Sequence, residues 1–228
     1  MKIAELYISI QGEGLLTGRE SVFVRSSGCN LRCWYCDTPF TSWAPEGVDL
    51  SVPEIIERVE RFDCEHVVLT GGEPMLHAEL VPLSEELHRR GKHVTIETAG
   101  TLYLPVACKL MSISPKLAGS GPSEKLSSRW RRRHETTRHV PHVIRRLLIE
   151  YDYQLKFVVD SPADCDAVEQ WLAEFPEADR ERVLLMPQGT DADQLAERAL
   201  WLQPYCHSAG LRFCPRRQIE WFGLLRGT

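Results

Sequence analysis

The sequence predicts an α/β fold, a partial and open parallel β/α barrel of about six strands. Apolar, β-branched stretches alternate with stretches of helical period over most of the 228 residues. The strand-like stretches close in turns rich in Gly, Pro, Ser and charge, and they are too few for a complete eight-stranded barrel.

Taken in order, Val22-Phe23-Val24 is a strand that runs into a cysteine-bearing loop. Ser51 and Glu54 stand at the reciprocal positions of a capping box, opening a helix that carries Ile55, Ile56 and Val59. His66-Val67-Val68-Leu69 is a strand of the buried type ending in Thr70-Gly71-Gly72-Glu73-Pro74. A helix from about Glu79 to Arg90 stops at Gly91, and strand Val94-Thr95-Ile96-Glu97 follows. Leu110-Met111-Ser112-Ile113 is a strand closed by Ser114-Pro115-Lys116. A polar stretch, Gly119 to Ser128, precedes a helix around Val143 to Glu150 and strand Leu155-Lys156-Phe157-Val158-Val159. Asp164 to Phe175 is helical by its apolar spacing, Val183-Leu184-Leu185-Met186 is a strand, and Asp191 to Cys206 is a helix. In parallel folds of this kind reactive groups gather at the carboxyl ends of the strands. The turns named above therefore fall on one rim.

The chemistry is announced by Cys29, Cys33 and Cys36, spaced three residues and then two apart. One tight loop can present three thiolates to a single [4Fe–4S] cluster, leaving its fourth iron open to a ligand that is not protein. Structural zinc is the rival, but zinc sites close with a fourth Cys or His at a motif-like spacing. Here Cys64, Cys108, Cys165, Cys206 and Cys214 are scattered singly. A disulfide framework suits neither the length of the chain nor its lack of a signal peptide.

Composition bounds the rest. A hydrophobic share of 43% and a charged share of 26% are those of an ordinary globular protein. No apolar run is long enough to cross a bilayer, and eight cysteines without a secretory signal predict a reducing, cytoplasmic setting. The net charge of −5 opposes a broad nucleic-acid surface. One basic run stands out: Arg129, Arg131, Arg132, Arg133, Arg138, Arg145 and Arg146, with Glu135 as the only acid among them. No aromatic residue repeats along it to stack bases, which favours a solvated face over an RNA site.

The cysteine spacing followed by Gly71-Gly72-Glu73-Pro74 resembles the radical S-adenosylmethionine (SAM) superfamily. A set of narrower motifs resembles its 7-carboxy-7-deazaguanine synthase family: Gln11-Gly12-Glu13-Gly14, Arg25, Gly28-Cys29-Asn30-Leu31-Arg32-Cys33, Asp37-Thr38, Glu97-Thr98, Ser114-Pro115-Lys116, Lys156-Phe157-Val158, Met186-Pro187-Gln188-Gly189 and Trp221-x-Gly223. The resemblance spans nearly the whole chain as a single radical-SAM domain, residues 1–228, with an Arg-rich, insertion-like segment around 119–146 as its least matched part.

The resemblance implies a radical-SAM lyase. SAM on the open iron yields a 5′-deoxyadenosyl radical, which contracts 6-carboxy-5,6,7,8-tetrahydropterin to 7-carboxy-7-deazaguanine with release of ammonia, a step of queuosine and related 7-deazapurine biosynthesis. It implies cluster ligation by Cys29, Cys33 and Cys36, and a magnesium ion on the Thr38 hydroxyl. It places SAM against Tyr35, Cys36, Asp37, Gly72, Glu73, Ser114 and Gln188, and the pterin against Gln11, Gly12, Glu13, Arg25 and Thr70. A reductant protein such as a flavodoxin or ferredoxin, and a homodimer, are implied as partners. A glycyl-radical activase shares the cysteine motif but has no need of the Gln11-Gly12-Glu13-Gly14 loop, and a zinc-stabilised module remains the non-catalytic alternative.

Overall fold

A computed structural model describes residues 1–228. The first half runs β1 (Lys2–Ile10), β2 (Glu20–Ser26), α1 (Pro39–Ser42), β3 (Val48–Asp49), α2 (Val52–Glu60), β4 (His66–Gly71), α3 (Leu80–Arg89), β5 (His93–Thr98) and β6 (Leu110–Ile113). The second half runs α4 (Glu124–Thr137), α5 (Pro141–Glu150), β7 (Tyr153–Val159), α6 (Pro162–Glu174), β8 (Val183–Pro187), α7 (Ala192–Ala209), β9 (Arg212–Phe213) and α8 (Arg217–Phe222). All strands join one sheet in the order β3-β1-β2-β4-β5-β6-β7-β8-β9, whose ends do not pair with each other. Pairing is parallel from β2 through β9 and antiparallel where β1 meets β2 and β3.

The fold is thus an open α/β barrel, but the sheet has nine strands rather than about six. The sequence reading counts β2, β4, β5, β6, β7 and β8. The added β1 is a hairpin partner of β2, and β3 and β9 are two-residue edge strands too short for any periodicity.

Alternation along the strands decides what faces where. Val22, Val24, Val67, Leu69, Val94, Ile96, Met111, Ile113, Leu155, Phe157, Val183 and Leu185 belong to one large buried apolar cluster beneath the helices. Their alternates, Phe23, Arg25, Thr70, Glu97, Ser112, Lys156, Val158 and Met186, line a cavity of about 310 Å³ on the other face. A period of two therefore puts core on one side and site on the other.

The helices begin where their caps require. Ser51 and Glu54 form both bonds of the capping box at α2, and Ser161 with Asp164 repeats the device at α6. The polar stretch Gly119 to Ser128 instead contains the start of α4. Ser123 accepts the Leu126 amide, Ser127 is extended, and its Oγ accepts the Trp130 amide at 3.2 Å, restarting the helix. The Arg-rich segment 119–146 therefore holds α4 and the first part of α5.

Candidate active site

The cysteine loop follows β2 and is fastened at both ends. Gly28 N–H donates to Thr41 O at 2.8 Å, and Glu73 N–H donates to Gly28 O at 2.9 Å. Between them Leu31 is buried, Asn30 donates to Thr101 Oγ1 at 2.9 Å, and the Arg32 guanidinium donates to the Cys29 and Leu31 carbonyls at 2.8 and 2.7 Å. Cys29, Cys33 and Cys36 line one wall of the cavity beside Gly71 and Gly72. These glycines are demanded by closeness: a Cβ on Gly72 would strike Gly28 O and lie 2.9 Å from Cys29 Cβ.

Burial pushes the Cys29 thiol up to about 12 and that of Cys33 up to about 11, the neighbouring thiols adding to the rise. Left to themselves they are neutral thiols, so any metal they take must displace protons. No three His, Cys, Asp or Glu side chains converge on a point as one small ion requires. Three soft thiol donors spread along the wall of a wide cavity fit a bulky iron–sulfur cluster better than zinc.

Away from the cysteines, a charged network floors the cavity. Lys156 is buried, and its Nζ donates to Glu13 Oε2 at 3.0 Å and to Glu97 Oε1 at 3.2 Å. Glu97 also accepts from Thr70 Oγ1 at 2.8 Å and from Gln11 Nε2 at 3.4 Å. Glu13 further accepts from Arg216 Nε at 3.2 Å and Gln218 Nε2 at 2.6 Å. Arg216 pairs in turn with Asp37 and donates to Gly189 O at 2.6 Å. Burial alone would raise the Glu13 carboxyl, but Lys156 and Arg216 hold it down to about 2. Burial would likewise depress Lys156, yet Glu97 and Glu13 drive it above its ordinary value. Glu13 and Lys156 are therefore both ionised throughout the neutral range.

The radical SAM superfamily model matches residues 23–147. A 7-carboxy-7-deazaguanine synthase of Rhodopirellula baltica is 44% identical over 99% of this chain and 88% of its own length. One from Halobacterium salinarum is 42% identical over 96% of this chain and 89% of its own. This chain belongs to the 7-carboxy-7-deazaguanine synthase family. The crystal structure of QueE from Escherichia coli superposes with a TM-score of 0.70 at 25% identity, covering 94% of this chain and 92% of that one.

Most family-motif residues meet in the one cavity: Gln11, Gly12, Glu13, Arg25, Cys29, Cys33, Tyr35, Cys36, Asp37, Thr38, Thr70, Gly72, Ser114 and Gln188 all line it. Glu73 is the correction. It is fully buried, accepting from Met75 N–H at 3.1 Å, Thr98 Oγ1 at 2.8 Å and Ala99 N–H at 2.8 Å, and it does not reach the cavity. Its carboxylate braces the turn instead of meeting SAM, because β5 and the turn after it supply its donors.

Other family positions are more available. Thr38 stands at the N-cap of α1 without making a cap bond. Its hydroxyl accepts from Thr41 Oγ1 at 3.4 Å and lies 3.9 Å from Cys36 Sγ. Arg25 is not paired with Glu13; its Nε donates to Glu5 Oε2 at 2.9 Å and its Nη2 to Tyr7 OH at 2.8 Å. Ser114 Oγ accepts from Lys116 at 2.7 Å.

Sequence reasoning gave no site role to Glu97, Lys156, Arg216 or Gln218. The first two carried a signal, since a charge at the alternate position of an otherwise apolar strand must face a site or a partner. Arg216 and Gln218 reach Glu13 from about two hundred residues away, which no local pattern reveals. The tail also folds over the cavity: Arg226 donates to Glu5 at 3.0 Å and Glu46 at 3.1 Å, with its guanidinium 3.7 Å from the Phe40 ring.

Proposed function

We propose that this chain contracts 6-carboxy-5,6,7,8-tetrahydropterin to 7-carboxy-7-deazaguanine and releases ammonia, as a radical-SAM lyase of 7-deazapurine (queuosine) biosynthesis. One observation carries the reading: a single cavity has three thiols and the Gly71–Gly72 turn at one wall and the Glu13–Lys156–Glu97 network at another. A glycyl-radical activase has no use for that small-molecule floor.

The cluster, held by Cys29, Cys33 and Cys36, would supply one electron to SAM bound at its open iron. The chain's own residues do the rest. Gly72 permits close approach of a ligand to the backbone, and Tyr35, Asp37, Ser114 and Gln188 cradle SAM. Glu13, kept ionised by Lys156 and Arg216, and Glu97 beside it offer acceptors to the amino and ring N–H groups of a pterin, with Gln11, Gly12 and Thr70 beside them. Gln218 adds a buried Oε1 that has no protein partner. Arg25 retains Nη1 for the substrate carboxylate, and the uncapped Thr38 hydroxyl is one oxygen ligand for magnesium. The setting is the cytoplasm, in a homodimer fed by a reductant protein such as a flavodoxin or ferredoxin; no helix is long and apolar enough to cross a membrane.

The deciding experiment is an anaerobic assay of carboxytetrahydropterin with SAM, magnesium and reductant, read by mass spectrometry. Ring-contracted product supports the reading; deoxyadenosine without it sends the chain to another radical-SAM activity. In the same assay Arg25→Met is expected to raise KM for the carboxylated substrate at least ~10-fold, with partial rescue by Lys, whose compact ammonium cannot hold Glu5 and Tyr7 and still present a fixed donor to the carboxylate. Unchanged kinetics would remove Arg25 from the pterin site. Thr38→Ala is expected to weaken the magnesium response while cluster content and uncoupled SAM cleavage persist. Superimposable magnesium titrations of variant and parent would end that assignment.

A further inference from the structure

The Arg-rich helix α4 has no part in the chemistry above, yet its inner face is spent on the cysteine loop. His134 is fully buried; its Nδ1 accepts the Arg32 backbone N–H at 3.1 Å, and its Nε2 meets Ser120 Oγ at 2.9 Å. Ser120 Oγ–H passes on to Leu117 O at 2.6 Å, and Ser120 O accepts the Trp34 amide at 3.0 Å. The Arg32 guanidinium lies 4.0 Å from the centre of the Trp130 ring. Arg32 and Trp34 flank Cys33, so α4 is fastened to the segment that carries the cluster ligands.

The outer face is a block of positive charge. Arg129, Arg131, Arg132 and Arg133 are exposed, and Lys125 extends the block on the preceding turn. Glu135 is engaged by Arg138 at 2.7 Å, and Glu124 approaches Arg131 only to 3.8 Å. Arg129 and Arg132 make no salt bridge. Trp34, 51% exposed, shares a small cleft with Arg131. On a chain of net charge −5 such a block repels itself, and Glu124 and Glu135 balance it only in part on its own helix. No residue of α4 lines the main cavity, so a partner seated there leaves the substrate's entry clear.

We propose that the outer face of α4, with Trp34, docks an acidic one-electron carrier protein that reduces the cluster. The proposal rests on the functional reading above, since the cluster is what such a partner would reduce. One electron leaves the carrier's reduced flavin or iron–sulfur centre and enters the cluster; the carrier is oxidised by one electron, and no bond or proton passes between the proteins. Charge complementarity would steer encounter, and the exposed Trp34 ring would anchor it. A lone exposed indole gives RNA no series of stacking platforms.

The test is the triple variant R129E/R131E/R132E, driven either by an acidic flavodoxin, reduced enzymatically, or by dithionite. Flavodoxin-driven turnover should show KM for flavodoxin raised more than ~10-fold at low salt, with its salt dependence flattened. Iron content and dithionite-driven turnover should stay within about twofold of the parent, as these side chains line no part of the main cavity and make no hydrogen bond to the cysteine loop. An unchanged KM for flavodoxin overturns the proposal. So does a parallel fall of the flavodoxin and dithionite rates, which would make α4 only a prop for the loop. Tight binding of a fluorescent single-stranded RNA, lost in the variant while flavodoxin kinetics hold, would assign the face to RNA instead. If the parent fails to contract the ring even with dithionite, the functional reading fails. Bleaching of the cluster by reduced flavodoxin, timed in parent and variant, still decides the docking.

Discussion

Alanine at any one of Cys29, Cys33 or Cys36 is expected to abolish turnover and remove most bound iron, while Cys64→Ala and Cys165→Ala do neither. The reason is ligand count. Two thiolates cannot hold a cubane whose fourth iron must stay open, and the cavity lining holds no fourth cysteine to replace the one removed. Cys64 and Cys165 belong to the apolar core instead; Cys64 Sγ donates to Glu20 O and His66 O, each at 3.4 Å. Their loss removes a small packing group at a cost of about 1 kcal/mol. Iron and sulfide per chain after anaerobic reconstitution, with deoxyadenosine formation, make the measurement. Full iron and activity in Cys33→Ala would sink the cluster assignment.

How much of this was legible depends on what each residue must do locally. The six internal parallel strands announce themselves because their core-facing positions are filled by Val, Ile, Leu, Phe and Met, and the Ser51–Glu54 box because its bonds span one turn. Helix α4 was missed because it has almost no apolar stripe: His134 is its only fully buried residue, and its hold on the protein is hydrogen bonding and stacking. The cysteine loop and the Gln11–Glu13 segment could be tied to a function from their motifs. Glu73 could not be judged that way, since its motif is silent about the donors at Met75, Thr98 and Ala99 that consume its carboxylate. Arg216 escaped notice for the opposite reason: its sequence neighbourhood is plain, and its meaning comes wholly from Glu13 and Asp37 across the fold.

Lys156→Met is expected to cost about 3–5 kcal/mol of stability at neutral pH and to abolish productive pterin binding. The ammonium is 3% exposed and bridges Glu13 at 3.0 Å and Glu97 at 3.2 Å. A thioether of similar length fills its space but leaves two half-buried carboxylates facing one another, with Arg216 still on Glu13 and only neutral donors, Thr70 and Gln11, on Glu97. The pH dependence identifies the cause. In the parent, Glu13 titrates at about 2, below its unfolded value, so its contribution is present at neutral pH and is lost as pH falls through that folded value. Lys156 is raised above its unfolded value, so its contribution disappears only in strong alkali and leaves the acid range to the carboxylates. Without the ammonium Glu13 binds its proton at higher pH, so the stability gap between variant and parent should narrow as pH falls from 7 towards 4. Adding Glu97→Gln to Lys156→Met should recover much of the loss at pH 7, because it removes the like-charge pair, yet should not recover pterin binding, which needs the ionised floor. Chemical denaturation midpoints at several pH values, with KM for the pterin, test each step. A Lys156→Met protein as stable as the parent at pH 7, with a gap indifferent to pH, would mean that the carboxylates are held by other donors and that Lys156 is not what keeps the floor of this cavity charged.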